Sequence, residues 1–408
     1  MNYLLENGKK LLQVQRKLNI ELLTLLAMIS FQVFIVFDPT LLKTRLLDLN
    51  RETVFNQTPD QKDVFVAQQV SGLVMFTSIG RYIIQIGLGP LLGAYADVVG
   101  RKGFIVCGTM LLTVSFLMKL LFSSFSLNLG VWPYLVSGPL FGLFIIVLPQ
   151  TTAFISDDML AQKHLLYLRF LINGQMRTFG YLLGNILAGF VIARYYGPSQ
   201  MGPQMAFLTT IAFSFAAFFV AVLLLPNLAP VHKHDDSVDK QNTQKNACVR
   251  SVCQVARMEW QALKVVFKTR PRWRRILLLL LILQATVNFS AGIQEEGLLN
   301  IYTLNRPFEW RPKDLAIYSL INNGVQIVGQ SIGGLVLRRW LHLSYSTILF
   351  CSGIGSVGSA VMVALAQSTA QIYYKIVFDA ITSMANDVHF KMISELVAPD
   401  EAGIGWTL

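Results

Sequence analysis

The sequence predicts an all-α integral membrane protein, on three observations. Of its 408 residues, 53% are hydrophobic and 14% charged, whereas a soluble domain carries roughly a quarter charged residues. Apolar runs of about 20 residues, each long enough to cross a bilayer, recur along the whole length. Lys and Arg gather in alternate connections between those runs. A large soluble helical protein is excluded, because no soluble core needs so many segments of membrane length.

Ten spans follow in order, at 20–46, 67–95, 104–122, 131–155, 168–193, 205–225, 276–299, 315–337, 343–366 and 372–393. The residues before the first span include Lys9, Lys10, Arg16 and Lys17 but no apolar core. They are therefore expected to be no cleaved signal peptide, and the first span is itself the membrane signal. Orientation follows from Lys and Arg. With a cytosolic N-terminus, the inner segments hold that cluster, Arg101 with Lys102, the basic stretch 233–275, and Arg338 with Arg339. The outer segments hold fewer: Lys43, Arg45, Arg51 and Lys62, then a few near Arg311. The net charge of +11 thus reads as a topology signal. A nucleic-acid footprint would need that charge on a soluble surface. Asn56-Gln57-Thr58 is a glycosylation sequon in the first outer loop, with Pro59 after it. A second sequon at Asn288 lies inside the seventh span and is discounted.

The chain divides into an N-terminal six-helix bundle at 1–226, a cytosolic linker at 227–274 and a C-terminal bundle at 275–408. Residues 227–245 are polar with no apolar period. "HKHDD" at 232–236 implies no fixed metal geometry and reads as solvated linker. From 252 to 267 the pattern changes: Val252, Val255, Leu263 and Val266 share one helical face, with Arg250, Arg257, Lys264 and Lys268 elsewhere. This suits a helix lying on anionic lipid; a calmodulin-type target is the alternative. Cys107 and Cys351 lie in spans, and Cys248 and Cys253 lie in the linker. No extracellular disulfide is expected, and zinc at the linker pair would need further ligands.

"GAYADVVGRKGFIV" (93–106) breaks the apolar chain with charges and glycines. Gly100 permits a very short turn, and Arg101 and Lys102 hold it in the cytosol. Asp97 can accept hydrogen bonds from a helix N-terminus. With six spans, a long linker and further spans, this stretch resembles the signature of the major facilitator superfamily, G-x-x-x-D-x-x-G-R-[KR], at Gly93, Asp97, Gly100, Arg101 and Lys102. The resemblance implies the superfamily fold of two pseudo-symmetric bundles, with about ten of the usual twelve spans present. It also implies that Asp97 latches an inner gate against the eleventh helix. "NIYTLNRPFEW" (300–310) and "KMISELVAPDEAG" (391–403) resemble solute carrier family 46, which includes the proton-coupled folate transporter and carriers of other organic anions. The matching residues are Tyr302, Pro307 and Trp310, then Ser394, Leu396, Val397, Asp400, Glu401 and Gly403. The chain departs from that pattern in three places. It stops at Leu408, in what looks like the first turns of the eleventh helix, so a fragment or an alternative ending is expected. The fifth span holds Asn173, Gln175 and Arg177 where the folate transporter has a coupling glutamate. Near the end of the tenth span, His389, Phe390 and Lys391 stand where an arginine is expected.

Charges inside spans are costly and mark candidate sites. Arg81 and Arg177 lie deep in the second and fifth spans, which flank the cavity in the superfamily fold. Either attracts an organic anion, or either pairs with a carboxylate and holds helices together. Lys119 is expected to snorkel. The resemblance implies that the first, fourth, seventh and tenth spans line the cavity. Their acidic residues Asp38, Glu295 and Asp379 are candidate proton carriers, because a carboxylate in a dry pocket can hold a proton. Asp38 alternatively caps a break at Pro39. Gln284, Asn288 and Asn323 are candidate substrate hydrogen-bonders, or structural interhelical ones. Gly174, Gly180, Gly184 and Gly189, with Gly353, Gly355 and Gly358, are expected to let helices pack closely. No nucleophile triad, metal cluster or cofactor motif is present, which argues against an enzyme.

The expectation is a secondary transporter of a small organic anion, with or without proton symport, working by alternating access. Its partners would be the solute, protons and membrane lipid, with no nucleic acid, in a plasma or lysosomal membrane. Two alternatives stay open: a transporter-like sensor or non-transporting truncated product, and a drug-proton antiporter of the same superfamily.

Overall fold

The computed structural model describes residues 19–50, 59–124, 130–158, 166–196, 201–226, 299–300, 302–304, 307–333, 336–337, 341–385 and 388. The predicted seventh span, the linker and the residues after 388 lie outside the described residues, as does Asn56.

Six helices form the N-terminal half: α1 (Asn19–Leu49), α2 (Pro59–Val99), α3 (Arg101–Ser123), α4 (Trp132–Asp158), α5 (Leu166–Ile186) and α6 (Met201–Leu223). A π-helical segment, Leu187–Ile192, and a last turn, Ala193–Tyr196, prolong α5. Beyond them come α7 (Pro312–Ser331), α8 (Tyr345–Leu365) and α9 (Thr369–Ser383), matching the eighth to tenth predicted spans. Seven described helices are long and apolar enough to cross a membrane.

Helix ends follow local chemistry rather than the edges of apolar runs. α2 extends well past the predicted 67–95, because backbone hydrogen bonds continue after hydrophobicity fades. The α2–α3 turn is Gly100 alone, at φ 109°, a conformation in which only glycine avoids strain. α7 begins with Pro312 in its first turn, where a missing N–H costs nothing. The Asp314 carboxylate accepts from the Arg311 backbone N–H at 3.0 Å. α9 starts earlier than predicted because Gln371 Oε1 accepts from the Ser368 N–H at 3.1 Å. α1 runs unbroken through Pro39, so Asp38 caps no break.

The N-terminal core is a set of aromatic rings at the crossing of α1, α3, α4 and α6. Phe31 stacks on Phe141 at 5.3 Å, and Phe34 meets Phe116 at 5.3 Å and Phe207 at 6.1 Å. Glycines set the helix spacing. A side chain at Gly180 would meet the Leu25 carbonyl at 2.8 Å, and one at Gly184 would meet the Ile29 carbonyl at 2.9 Å. α1 and α5 are thereby pressed together. α4 lies on α2 in the same way, through Gly138 against Thr77 and Gly142 against the Arg81 backbone, a pair the sequence reading overlooked. Gly355 and Gly358 pack against α9 as expected, but Gly353 faces open space because it points away from α9. Gly180→Leu is expected to cost about 1–3 kcal/mol or more by overpacking. A lowered thermal midpoint of the purified protein in lipid would register it. An unchanged midpoint would contradict the packing.

Contacts between the halves run along α5 and α7. A side chain at Gly189 would run into Ala316. At the other end of α7, in its last turn, Gln330 Nε2 donates to Thr178 Oγ1 of α5 at 3.5 Å. Asn300 Nδ2 donates to the Ile35 carbonyl of α1 at 3.4 Å.

Candidate transport site

Buried cations divide into two groups by their partners. In the first group each has an acceptor. Lys119 on α3 lies 3.1 Å from Asp38 Oδ1, and the Tyr134 hydroxyl of α4 donates to Asp38 Oδ2 at 2.8 Å. The Lys119 ammonium also sits 3.9 Å from the centre of the Phe34 ring and 4.4 Å from that of Tyr134. Lys119 is 7% exposed and does not snorkel: a carboxylate and two ring faces hold it inside the bundle. Lys375 reaches Asp379 Oδ2 at 2.6 Å, and Ser359 donates to Asp379 Oδ1 at 2.7 Å. Arg169, at the start of α5, donates from Nε to Glu21 Oε1 of α1 at 2.9 Å and from Nη1 to Asp158 of α4.

Arg101 belongs with them. Of the turn motif, Gly93 is buried, Lys102 half-buried, and the Asp97 side chain lies outside the described residues although its backbone is in the last turn of α2. Arg101 is buried and donates to Gln150 Oε1 of α4 at 2.7 Å. It locks α3 to α4 rather than only marking a side of the membrane, because its reach along α3 ends on a polar side chain.

The second group is Arg81 and Arg177. Arg81 makes one weak hydrogen bond, to the Tyr82 hydroxyl at 3.3 Å, and its Nε is buried without a partner. One turn on, Gln85 Nε2 is also buried and unpaired. Arg177 is half-buried and makes no hydrogen bond or ion pair among the described residues. On the helical wheel it points away from the exposed face of Phe179, Ile186 and Phe190. Among the described residues, neither arginine holds helices together through a carboxylate.

Buried amides lie on α1, α5 and α7. Gln32 on α1 donates to Asn185 on α5 at 2.9 Å. Asn173 is 4% exposed and its Oδ1 has no partner; Gln32, Gln330 and Asn322 each retain one unpaired oxygen. Asn323 is buried on α7. Gln284, Asn288 and Glu295 fall outside the described residues. No group of His, Cys, Asp and Glu suited to a metal occurs among the described residues.

The sequence reading missed the Glu21–Arg169–Asp158 cluster. A signal existed: Glu21 opens an otherwise apolar span, and Arg169, Asn173 and Arg177 recur at four-residue intervals on one face of α5.

The chain matches the family profile described as Major Facilitator Superfamily over residues 21–407. It belongs to that superfamily. Solved structures of superfamily transporters share the fold. The human organic anion transporter MFSD10 (TETRAN) aligns with TM-score 0.64 at 15% identity, over 95% of this chain and 87% of that one. A single-residue variant of the E. coli fucose:proton symporter FucP aligns at 0.55 and 14%, over 97% and 87%. A D-xylose-proton symporter aligns at 0.55 and 14%, over 95% and 85%. A comparison with curated proteins finds no match. The protein is thus an all-helical, multi-pass membrane protein of a transporter superfamily.

Proposed function

We propose that this superfamily member carries a small organic anion across the membrane by alternating access, coupled to proton symport. One observation carries the reading. Every other cation described above has a partner inside the protein, whereas among the described residues Arg177 has none and Arg81 has only a weak one. An intramembrane charge without a counter-charge is costly, and an anionic solute supplies that counter-charge. Gln284, Asn288 and Asn323 would complete the contacts from the C-terminal half. At 15% identity the likeness to an organic anion transporter carries the fold alone, so the anion rests on the arginines.

The finer placement in solute carrier family 46 rests on its signature residues. Trp310 Nε1 donates to Thr369 Oγ1 at 3.1 Å and the Tyr302 hydroxyl donates to the Ala366 carbonyl at 3.0 Å. These residues therefore staple the segment before α7 to the α8–α9 connection, which explains why Tyr and Trp stand there. With the N-terminus in the cytosol, this staple faces outward and the Gly100 turn faces inward. Of the proposed proton carriers, Asp38 and Asp379 each have both oxygens engaged, which favours a structural role for them.

The test is uptake of labelled folate and a panel of other organic anions into cells or proteoliposomes, at neutral pH and about two units lower. Acid-stimulated uptake supports symport. No uptake of any anion by correctly inserted protein would overturn the reading. The α5–α7 contact supplies a second check. With the four native cysteines replaced by serine, Gly189→Cys with Ala316→Cys would put the two Cβ atoms at 2.5 Å, so a disulfide forms once the helices ease apart by about 1–2 Å. Oxidation is expected to stop uptake and reduction to restore it, because the halves must part there in alternating access.

A further inference from the structure

We infer that Glu21 binds the coupling proton, at a site formed where α1 meets α4 and α5, with Asn173 accepting the hydrogen bond of the protonated acid. The inference deepens the symport reading. Its first experiment is independent of cargo.

The observation is an imbalance of donors. Among the described residues two carboxylates are buried, Glu21 and Asp379, and Asp38 is largely enclosed by Lys119 and Tyr134. Asp38 and Asp379 each have a partner on both oxygens. Glu21 is 1% exposed; Arg169 holds its Oε1, and its Oε2 is buried with no partner. Arg169 is also shared with Asp158, so one guanidinium serves two carboxylates. A buried carboxylate oxygen without a donor is unfavourable.

The register of α1 on α5 identifies what lies opposite. The two helices run parallel, and Gly180 packs against Met28. Seven residues, about two turns, back along each helix are Asn173 and Glu21. Asn173 Oδ1 is likewise buried without a partner; the third such oxygen between α1 and α5, Gln32 Oε1, lies three turns further along, beside Asn185. At the level of Glu21, two acceptors therefore lie at matching positions on α1 and α5, and the missing component is hydrogen. A proton taken from water onto Glu21 Oε2 satisfies both, since the new O–H donates to Asn173 Oδ1. No other bond forms or breaks.

The consequence is mechanical. With Glu21 ionised, Arg169 ties α1 to α5 by an ion pair. With Glu21 protonated, that link becomes a hydrogen bond from the Arg169 cation to an uncharged acid, and Asp158 is left as the counter-charge of Arg169. The charged groups facing Glu21 among the described residues are Arg169 from α5 and Asp158 from α4. Asp158 is the more exposed carboxylate of the two, which gives the proton a route to water on that side. Asn19 Nδ2, two residues before Glu21, donates to the Leu224 carbonyl at 2.8 Å. The end of α1 that would be freed is thus also the end that holds the close of α6.

Infrared difference spectroscopy on the full chain in lipid tests this, on lowering the pH from about 8 to about 4. The expected result is a carboxylic-acid carbonyl band that vanishes in Glu21→Gln and shifts in Asn173→Leu, which keeps the acid but removes its acceptor. The same band should persist in Asp379→Asn. A spectrum unchanged by Glu21→Gln overturns the proposal. If Glu21→Gln does not insert, an unshifted band in Asn173→Leu overturns it equally. In a transport arm with labelled folate, Glu21→Gln should bring the acid-to-neutral uptake ratio to about 1 while exchange persists, since the linked proton is gone. A ratio that stays acid-stimulated overturns the assignment. If the band behaves as stated but no anion is carried, the proton site stands and the transport reading falls.

Discussion

Arg177→Ala should sharply reduce uptake of whichever organic anion the chain carries, with insertion and surface level unchanged. Charge-assisted hydrogen bonds contribute about 1.5–3 kcal/mol each, so loss of a single one lowers transport roughly 10- to 100-fold. Loss of a forked pair lowers it further. Arg177→Lys should recover part of the flux, because lysine keeps the charge but not the planar fork. Normal insertion is expected because no described hydrogen bond or ion pair in the folded protein depends on Arg177. Uptake by Arg177→Ala at the wild-type rate would remove the observation on which the anion reading rests. The same substitution at Arg81 should be comparable in flux and lower the surface level only slightly, since the tie to Tyr82 that it removes is weak.

Lys119→Met should damage the fold rather than transport. It leaves Asp38 buried with only Tyr134 as a partner, and breaking one side of a buried ion pair costs about 3–5 kcal/mol. Two ring contacts with the ammonium go with it. The double variant Asp38→Leu with Lys119→Met should recover most of the stability, because a buried pair replaced by apolar groups of similar volume is often neutral or better. Thermal midpoints of the wild type, both single variants and the double variant give the coupling directly. If the double variant is as unstable as Lys119→Met alone, the pair is not the reason for the loss.

The two outcomes depend on one distinction, whether an intramembrane cation has found a partner. The sequence contains all of these charges, but it does not say which of them meet. Lys119 near the end of α3 looks free to snorkel, and Asp38 beside Pro39 looks like a cap. They are separated by 81 positions in the chain, and only the crossing of α1 on α3 brings them together. Arg169 and Glu21 are 148 apart and escape a linear reading for the same reason. Arg81 and Arg177 were legible as candidates because depth in a span can be read from hydropathy alone. Their lack of a carboxylate partner among the described residues was not legible, since it is a property of every neighbour at once.

Spans are the easiest feature to read. A bilayer demands about 20 apolar residues per crossing, and that demand acts on each segment independently of the others. The sequence by itself therefore determined the helical membrane class, the positions of the described spans and, through Gly93, Asp97, Gly100, Arg101 and Lys102, the superfamily. It also marked Gly180 and Gly184 as packing sites, since small residues at four-residue spacing share one helix face. The tertiary structure alone decided which buried charges are satisfied, that Arg101 serves as a clasp on Gln150, and that Gly138 and Gly142 set α4 on α2. It also placed Asn173 opposite Glu21. Those are pairings across helices, fixed by crossing angle and register, and a linear pattern with a period of 3.6 residues specifies which face a residue occupies but not what stands across from it.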